Sequence, residues 1–379
     1  MPNNPDNFNS HSSFMKKFLL ILSLLLSVQA SIACTSAIIS GKVTKNGRPL
    51  LWKHRDTGNE QNFIARVAPE GNKYGFVALY NGGDSLLESA WMGMNDAGFA
   101  IMNTASYNLM PDTAKFVDQE GIVMRKALET CRTLIDFENL LASLPKPLGV
   151  QANFGVLDAN GNGAYYETDD HNFTRFLLEN AGEGFLIRTN YSVNGKEDGG
   201  YGYIRENNAR YWIEPHAVSR DIIPELFTEG ISRSFYHSLI GRDFMNSGDR
   251  WAVDQDFVPR KSSSASIVIE GMLPDETPED MTMWSVVGYP PVSHVHAVTI
   301  NDVPEELQPT LPGFKSPYCQ ETIDRKNEVF SIKRGSGSHY LDLFKIKEYE
   351  PEQLRLSEES YKIRRSELNR KRLKVIEKD

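Results

Sequence analysis

Cys34 stands at the end of a hydrophobic leader, and this position gives it unusual chemistry. Two lysines open an otherwise apolar run over residues 16–28, and Ser31 and Ala33 lie three and one places before the cysteine. A basic start, a short apolar segment and small residues at its end are the pattern of a secretory signal peptide. The run is too short to cross a bilayer as a helix. We therefore predict that residues 1–33 form a signal peptide and that signal peptidase leaves Cys34 as the first residue.

A cysteine at a new N-terminus carries a nucleophile and a base on one residue. A free thiol has a pKa of about 8.5 and a free α-amine one of about 7.7 to 8.0, so the amine can accept the thiol proton near neutral pH. This is the chemistry of N-terminal-nucleophile hydrolases. The alternative is a surface lipoprotein, in which acylation of Cys34 only tethers the chain. The lipoprotein motif prefers Leu three places before the cysteine, and Ser31 occupies that place. The expected location is therefore exported, periplasmic or secreted, rather than lipid-anchored in an outer membrane.

The composition excludes several partner classes. Met15 provides a second start, so residues 1–14 can be an over-extended beginning, and residues 34–379 carry 39 basic and 49 acidic side chains. This acidic balance argues against nucleic acid and against an anionic membrane surface as partners. Cys131 follows a helical apolar pattern and is expected to be a buried small residue, although a disulfide with Cys319 stays open at this point.

Alternating apolar segments and turns predict a hairpin at the cysteine. The turn Lys45-Asn46-Gly47 separates two apolar runs, and Asn-Gly between such runs is a strong hairpin signal. Cys34 would then begin one strand, and residues 53–56 would end its partner. Further strands are predicted before the first helix, over residues 63–67, 74–80, 90–94 and 99–103, in addition to the hairpin pair at 35–39 and 48–52.

Two helices are predicted after these strands, and further helical pieces are predicted after the next group of strands. Helical spacing covers residues 121–131 and 136–144. More strands follow, at 153–157, 163–167, 173–178, 184–189, 264–270 and 281–287. Residues 204–246 are predicted to be helical in pieces, broken at Pro215 and Pro224. Strands, a helix pair and strands again indicate an α+β sandwich.

The segment 351–379 has a different composition from the rest. Its apolar residues recur every seven places among nine basic and six acidic side chains, at Leu354, Tyr361, Leu368 and Val375. One apolar stripe with a charged opposite face predicts a surface helix packed on the body or on a second copy in a homo-oligomer. A fully solvated helix is the alternative.

Short motifs in order resemble a known family. Cys34-Thr35-Ser36, then Asn46-Gly47, then a strand ending of the kind Arg-Asn-x-Asp at residues 53–56, precede Gly-Met-Asn-Asp-Ala-Gly-Phe-Ala at 93–100. The combination resembles the linear-amide hydrolases, which include choloylglycine (bile-salt) hydrolases, penicillin V acylase, the acyltransferase of penicillin biosynthesis and acid amidases. The resemblance covers residues 34–210 in patches. It implies the four-layer αββα sandwich of N-terminal-nucleophile hydrolases over residues 34–350.

The resemblance also implies roles for residues beside Cys34. The family's aspartate that holds the α-amine falls on Asp56. The family's arginine falls on Lys53, with Arg55 as the alternative cation for steering the substrate, and this departure leaves open which of the two acts.

Three more residues receive roles by resemblance. Asn103 and Asn190 fall where the family stabilises the oxyanion that forms on attack. Arg210 falls near a family arginine that contacts the nucleophile region. His294 and His296 share one face of a predicted strand, but no Cys, Asp or Glu is adjacent to them in sequence, so we expect a packed pair and no metal.

The resulting hypothesis is an exported cysteine hydrolase of linear amides that needs no metal or organic cofactor. A small-molecule amide is the expected partner, and an acyl acceptor other than water would make the same intermediate serve an acyltransferase. The alternatives are a dipeptidase of the related N-terminal-cysteine family and the non-catalytic lipoprotein.

Overall fold

The structure is a computed structural model that describes residues 33–110, 113, 115, 117–333 and 339–376, with side chains up to residue 373. The predicted signal peptide lies outside these residues except for Ala33. No helix within the described part of the chain combines the length and apolar character needed to cross a membrane.

Most strands and helices follow the predicted order, but residues 236–237 and 242–243 form short strands in a segment predicted to be helical, and the helix over residues 317–329 was not predicted. The helices are α1 (Glu120–Thr130), α2 (Leu134–Ser143), α3 (Tyr203–Ser219), α4 (Pro317–Val329) and α5 (Leu343–Ile376). The strands are β1 (Thr35–Ile39), β2 (Leu50–Asp56), β3 (Asn62–Val67), β4 (Phe76–Asn81), β5 (Met92–Asn95), β6 (Ala100–Ala105), β7 (Ala152–Leu157), β8 (Gly163–Thr168), β9 (Phe173–Leu177), β10 (Phe185–Arg188), β11 (Tyr236–His237), β12 (Arg242–Asp243), β13 (Trp251–Val253), β14 (Ser263–Glu270), β15 (Thr282–Val287), β16 (His296–Val298) and β17 (Tyr340–Asp342). Each strand predicted from the sequence is present, with ends that differ by a few residues.

Two antiparallel sheets contain most of these strands. One has six strands in the order β10-β1-β2-β14-β15-β16, and the other is a seven-stranded meander from β3 to β9. The predicted hairpin is confirmed, because β1 and β2 pair with Ser36 opposite Lys53. Gly47 in the turn has a φ of +79°, a left-handed conformation that glycine adopts without a Cβ clash.

The buried side chains define four layers. Ile38 of the six-stranded sheet and Met102 of the seven-stranded sheet belong to one core between the sheets. The outer face of the seven-stranded sheet packs on α1 and α2 through residues such as Leu128. The outer face of the six-stranded sheet packs on α3 and α5 through Ile213 and Tyr361. The arrangement is the predicted αββα sandwich.

The helix α3 corrects one prediction from the sequence. Pro215 lies inside it and does not break it. Proline removes one backbone donor, but Ile213 and Ala217 on either side of it are buried in the outer core of the six-stranded sheet. Tertiary packing therefore holds the last turn together.

The C-terminal helix corrects a second prediction. It begins at Leu343 rather than at residue 351, and Leu354 of the predicted stripe is 37 % exposed. Tyr361 of that stripe is buried, as predicted, and so are Leu343 and Ile346 in the added first turn. The other buried residues of the helix are polar, namely Gln353, Ser357 and Arg364.

Hydrogen bonds to an edge strand explain this polar buried face. The hydroxyls of Ser357 and Ser360 accept the backbone N–H groups of Val295 and Ala297 at 3.1 and 3.2 Å, at the edge formed by β16. An uncovered strand edge leaves such donors unpaired, so the helix both packs on the body and closes the sheet. The helix therefore belongs to the same compact unit as the two sheets.

Candidate active site

Cys34 lies directly before β1 and is buried, with 3 % of its surface exposed. Its Sγ lies 3.8 Å from the backbone carbonyl oxygen of Asp56, a long contact for a thiol donor. The hairpin register produces this proximity, because Thr35 pairs with His54 and the next residues in each direction are Cys34 and Arg55. The nucleophile candidate is therefore held by the central strands of the six-stranded sheet.

The alternation of β2 separates the charged residues around the cysteine onto two faces. Leu51 belongs to the core between the sheets and Trp52 to the outer core, so every second residue faces each side. Lys53 and Arg55 consequently point into the space between the sheets. Asp56 points to the outer side, beside the backbone that precedes Cys34.

The Asp56 carboxylate is held by two side chains. Ser263 donates to its Oδ1 at 2.6 Å, and Arg260 donates to its Oδ2 from two nitrogens. Arg260 also donates to the carbonyl oxygen of Ala33 at 2.9 Å. Burial lowers the pKa of the neighbouring His54 to about 4, so its ring is neutral at pH 7 and adds no charge. The carboxylate is thus joined through Arg260 to the peptide group that precedes Cys34.

Lys53 links the six-stranded sheet to Asn103 in the other sheet. Its Nζ donates to Asn103 Oδ1 at 2.7 Å and to the carbonyl oxygen of Trp91 at 2.8 Å. Burial is the main cause that lowers the pKa of Lys53 to about 7, while the nearby Cys34 opposes this shift. A buried ammonium ion with neutral partners loses its proton more easily.

Arg55 reaches the same space but has different partners. It donates to the side-chain oxygens of Asn62 and Asn81, the latter at 2.8 Å, and its guanidinium lies 5.0 Å from the centre of the Trp91 ring. Burial lowers the pKa of Arg55 to about 10, so it stays charged at neutral pH. Among the described residues, neither Arg55 nor Lys53 forms an ion pair with a carboxylate.

Asn190 is tied to the nucleophile segment by an arginine that the sequence analysis missed. Arg205 donates to the carbonyl oxygen of Cys34 at 2.6 Å, to Thr35 Oγ1 at 2.9 Å and to Asn190 Oδ1 at 2.8 Å. The Nδ2 of Asn190 donates to the carbonyl oxygen of Ala105 at 2.9 Å. Asn190 is therefore linked to the Cys34 backbone through Arg205, and it bonds directly to β6, the strand that carries Asn103.

Arg210 does not have the contact predicted for it. It lies five residues after Arg205 on α3, which turns it by about 140° to a different face of the helix. There it forms a 2.8 Å ion pair with the exposed Glu183. The contact with the nucleophile region is made by Arg205, which is 1 % exposed.

One local signal could have identified Arg205. Gly202, at the start of α3, has a φ of +96°, and a Cβ there would lie 2.3 Å from a guanidinium nitrogen of Arg205. The run Gly199-Gly200-Tyr201-Gly202 before a helix thus marks a close approach. For Arg260 no comparable signal exists, because its loop is remote in sequence from Asp56.

The histidine pair His294 and His296 packs against an aromatic side chain. The two ring centres lie 4.4 Å apart with the rings tilted by 32°, and Tyr318 contacts both. The described residues contain no cluster of three or more side chains suited to a metal ion. Cys131 and Cys319 are both free and buried in different core layers.

Residues 61–211 match the family model of acyl-coenzyme A:6-aminopenicillanic acid acyl-transferase. This confirms, over that stretch, the resemblance to the acyltransferase of penicillin biosynthesis. No curated protein matches the chain significantly in sequence.

Solved structures that match this chain do so at low sequence identity and low TM-score. The N-acylethanolamine-hydrolyzing acid amidase ortholog of Caenorhabditis elegans is 13 % identical and has a TM-score of 0.38, with 64 % of this chain and 94 % of that chain covered. A mutant of the conjugated bile acid hydrolase from Clostridium perfringens is 12 % identical and has a TM-score of 0.42, with 71 % of this chain and 92 % of that chain covered. Penicillin V acylase from Agrobacterium tumefaciens is 12 % identical and has a TM-score of 0.41, with 71 % of this chain and 87 % of that chain covered.

Proposed function

Because residues 61–211 carry the pattern of the penicillin acyltransferase-like enzymes, we propose that this protein is a cysteine N-terminal-nucleophile enzyme that cleaves linear amides. Cys34 is the nucleophile, and removal of residues 1–33 by signal peptidase during export frees its α-amine. The observation that carries the proposal is a pair of buried cations, one on α3 and one on β2, that link the Cys34 hairpin to the two candidate oxyanion asparagines. Arg205 joins the Cys34 backbone to Asn190, and Lys53 joins the six-stranded sheet to Asn103.

The reaction begins with transfer of the Cys34 thiol proton to the α-amine of the same residue. The sulfur then attacks the amide carbon, and the carbonyl oxygen becomes an oxyanion that the side chains of Asn103 and Asn190 stabilise. Asp56 orients the amine, supported by its own bonds to Ser263 and Arg260.

Collapse of this intermediate breaks the C–N bond. The α-ammonium gives its proton to the leaving nitrogen, and a thioester remains on Cys34. Water then attacks the thioester carbon while the α-amine accepts the water proton. The products are the free acid and the regenerated thiol, so no external oxidant or reductant enters the reaction.

Acyl transfer to an amine is the second candidate. It shares the thioester, and an acceptor amine replaces water in the second half of the reaction. The match of residues 61–211 to the model of an acyl-transferase family is the observation that favours this second activity.

A substrate panel tests the proposal. The processed protein is offered N-acyl amino acids, penicillin V, conjugated bile salts and dipeptides, with and without a second amine as acceptor. We expect turnover of at least one amide, a mass increase on Cys34 from the trapped acyl group, and no turnover with Cys34→Ala. Cys34→Ser should retain only a trace, because the alcohol is a much weaker nucleophile at neutral pH.

Three results would count against it. Full activity of Cys34→Ala would refute the mechanism. Turnover of dipeptides alone would indicate a dipeptidase. A diacylglyceryl group on Cys34 in the exported protein, seen by mass spectrometry, would indicate the tethered lipoprotein.

A further inference from the structure

Two buried cations hold the two asparagines of the site in the same way. Lys53 donates to Asn103 Oδ1 at 2.7 Å, and Arg205 donates to Asn190 Oδ1 at 2.8 Å. Neither cation accepts a hydrogen bond, so each identifies the oxygen end of the amide that it contacts. In both cases the amide nitrogen is therefore turned away from the cation.

The contact with Lys53 also orients Asn103 toward the inside of the site. The Nζ of Lys53 is fixed by a second acceptor, the carbonyl oxygen of Trp91, at 2.8 Å. Among the residues that the structure describes, none accepts a hydrogen bond from Asn103 Nδ2. The Asn103 side chain is buried, so an amide donor without a partner among these residues lies on the group that holds Lys53, whose own charge is influenced by the nearby Cys34.

We propose that Lys53 is a positioning residue, which aims Asn103 Nδ2 at the carbonyl oxygen of the amide that Cys34 attacks. The proposal rests on the function proposed above. It differs from a role in binding the substrate, because the ammonium group acts through Asn103 and polarises that amide. A charge-assisted hydrogen bond to Oδ1 strengthens the N–H dipole at the other end of the same group.

The choice of lysine makes this positioning depend on pH. The groups that face Lys53 are Cys34 before β1, Arg55 on β2 and Glu120 at the start of α1, together with the neutral Trp91 carbonyl. Burial outweighs the two acidic groups and lowers the pKa of Lys53 to about 7. Above that pH the amine can still donate to Oδ1, but without its charge. Arg205 stays charged over this range, because the pKa of its guanidinium, although lowered by burial, is about 10.

A double-mutant cycle tests whether Lys53 acts through Asn103. The variants are Lys53→Met, Asn103→Ala and their combination, assayed with the amide that the panel identifies. Asn103→Ala should lower kcat about a hundred- to a thousandfold. Lys53→Met should also lower kcat with little change in KM, and it should cost almost nothing further in the Asn103→Ala background.

Arg55→Met is the matched control, since it removes a buried cation on the same face of β2 that does not touch Asn103. Its effect should add to that of Asn103→Ala. If the effects of Lys53→Met and Asn103→Ala on kcat are additive, or if Lys53→Met raises only KM, Lys53 binds substrate and the proposal is wrong.

Lys53→Arg supplies a second test, which can be carried out even if Lys53→Met does not fold. The charge is kept at all accessible pH values, so kcat should change less between pH 7 and 9 in Lys53→Arg than in the wild type, while the α-amine and thiol of Cys34, which titrate in the same range, affect both proteins alike. If the same difference persists in the Asn103→Ala background, Lys53 does not act through Asn103 and the proposal is overturned. Both outcomes are distinct from failure of the proposed function, which is read from Cys34→Ala in the same assay.

Discussion

Retention of the residues before Cys34 should abolish activity without unfolding the protein. In a version that keeps Ser31-Ile32-Ala33, the nitrogen of Cys34 is an amide and has no basic lone pair. It cannot accept the thiol proton, and general-base assistance of this kind is worth roughly a hundred- to ten-thousandfold. We therefore expect kcat to fall by that factor relative to a version that begins at Cys34.

The structure separates this loss from a folding defect. Ala33 is 2 % exposed, and its carbonyl oxygen accepts a 2.9 Å bond from Arg260, which also holds Asp56. The extended version thus keeps a charge-assisted bond that the processed version lacks, and its stability should not be lower.

The assay compares the two versions under one set of conditions. Each N-terminus is confirmed by intact mass, thermal melting establishes that both are folded, and kcat is measured on the same amide. Cys34→Ala in each version defines the background rate. Equal kcat values would mean that Cys34 does not use its own amine, and the N-terminal-nucleophile mechanism would have to be abandoned.

Two further predictions concern the asparagine pair and a buried histidine. Asn190→Ala should lower kcat about a hundred- to a thousandfold with little change in KM, because one oxyanion donor is lost. Arg210→Ala removes a surface pair with Glu183 and a contact with the Phe185 ring, both away from Cys34, and should leave both constants near wild type. An effect on KM alone would make Asn190 a binding residue. For His54, burial lowers the pKa to about 4 in the folded protein, against about 6.5 when unfolded. The unfolded state binds more protons between those values, so the unfolding free energy should fall as pH drops from 6.5 to 4. His54→Gln should lack this contribution, on the order of 3 kcal/mol, in urea denaturation at pH 4 to 7; parallel curves for the two proteins would contradict it.

Local patterns in the sequence predicted most of the sandwich. The Asn46-Gly47 turn specifies its own backbone conformation, and alternation along residues 50–56 specifies which side chains share a face. Both signals act over a few residues, so they survive without knowledge of the rest of the chain. The position of Cys34 at the head of β1 and the placement of Asp56 near it follow from that hairpin alone.

Elements stabilised by distant contacts were predicted less well. Pro215 stays inside α3 because the residues around it are buried against the sheet, and a local rule for proline has no access to that packing. The C-terminal helix buries Ser357 rather than Leu354, because the serine hydroxyl satisfies a donor of an edge strand about sixty residues earlier. Apolar periodicity cannot predict this buried face, because its residues must be polar to accept hydrogen bonds from the edge of the sheet.

The site divides along the same line. The sequence by itself determined the nucleophile candidate and its strand pair, since these depend on spacing within one hairpin, and the family resemblance indicated Lys53 and Arg55 as the candidate cations. Only the tertiary structure decided which partners those cations have, that Arg205 rather than Arg210 reaches Cys34, and that Arg260 joins Asp56 to the same backbone. The contacts of Lys53 with Asn103, Arg205 with Cys34 and Arg260 with Asp56 join residues 50, 171 and 204 places apart, and their free energy depends on geometry and burial that arise only when the two sheets and α3 have packed together.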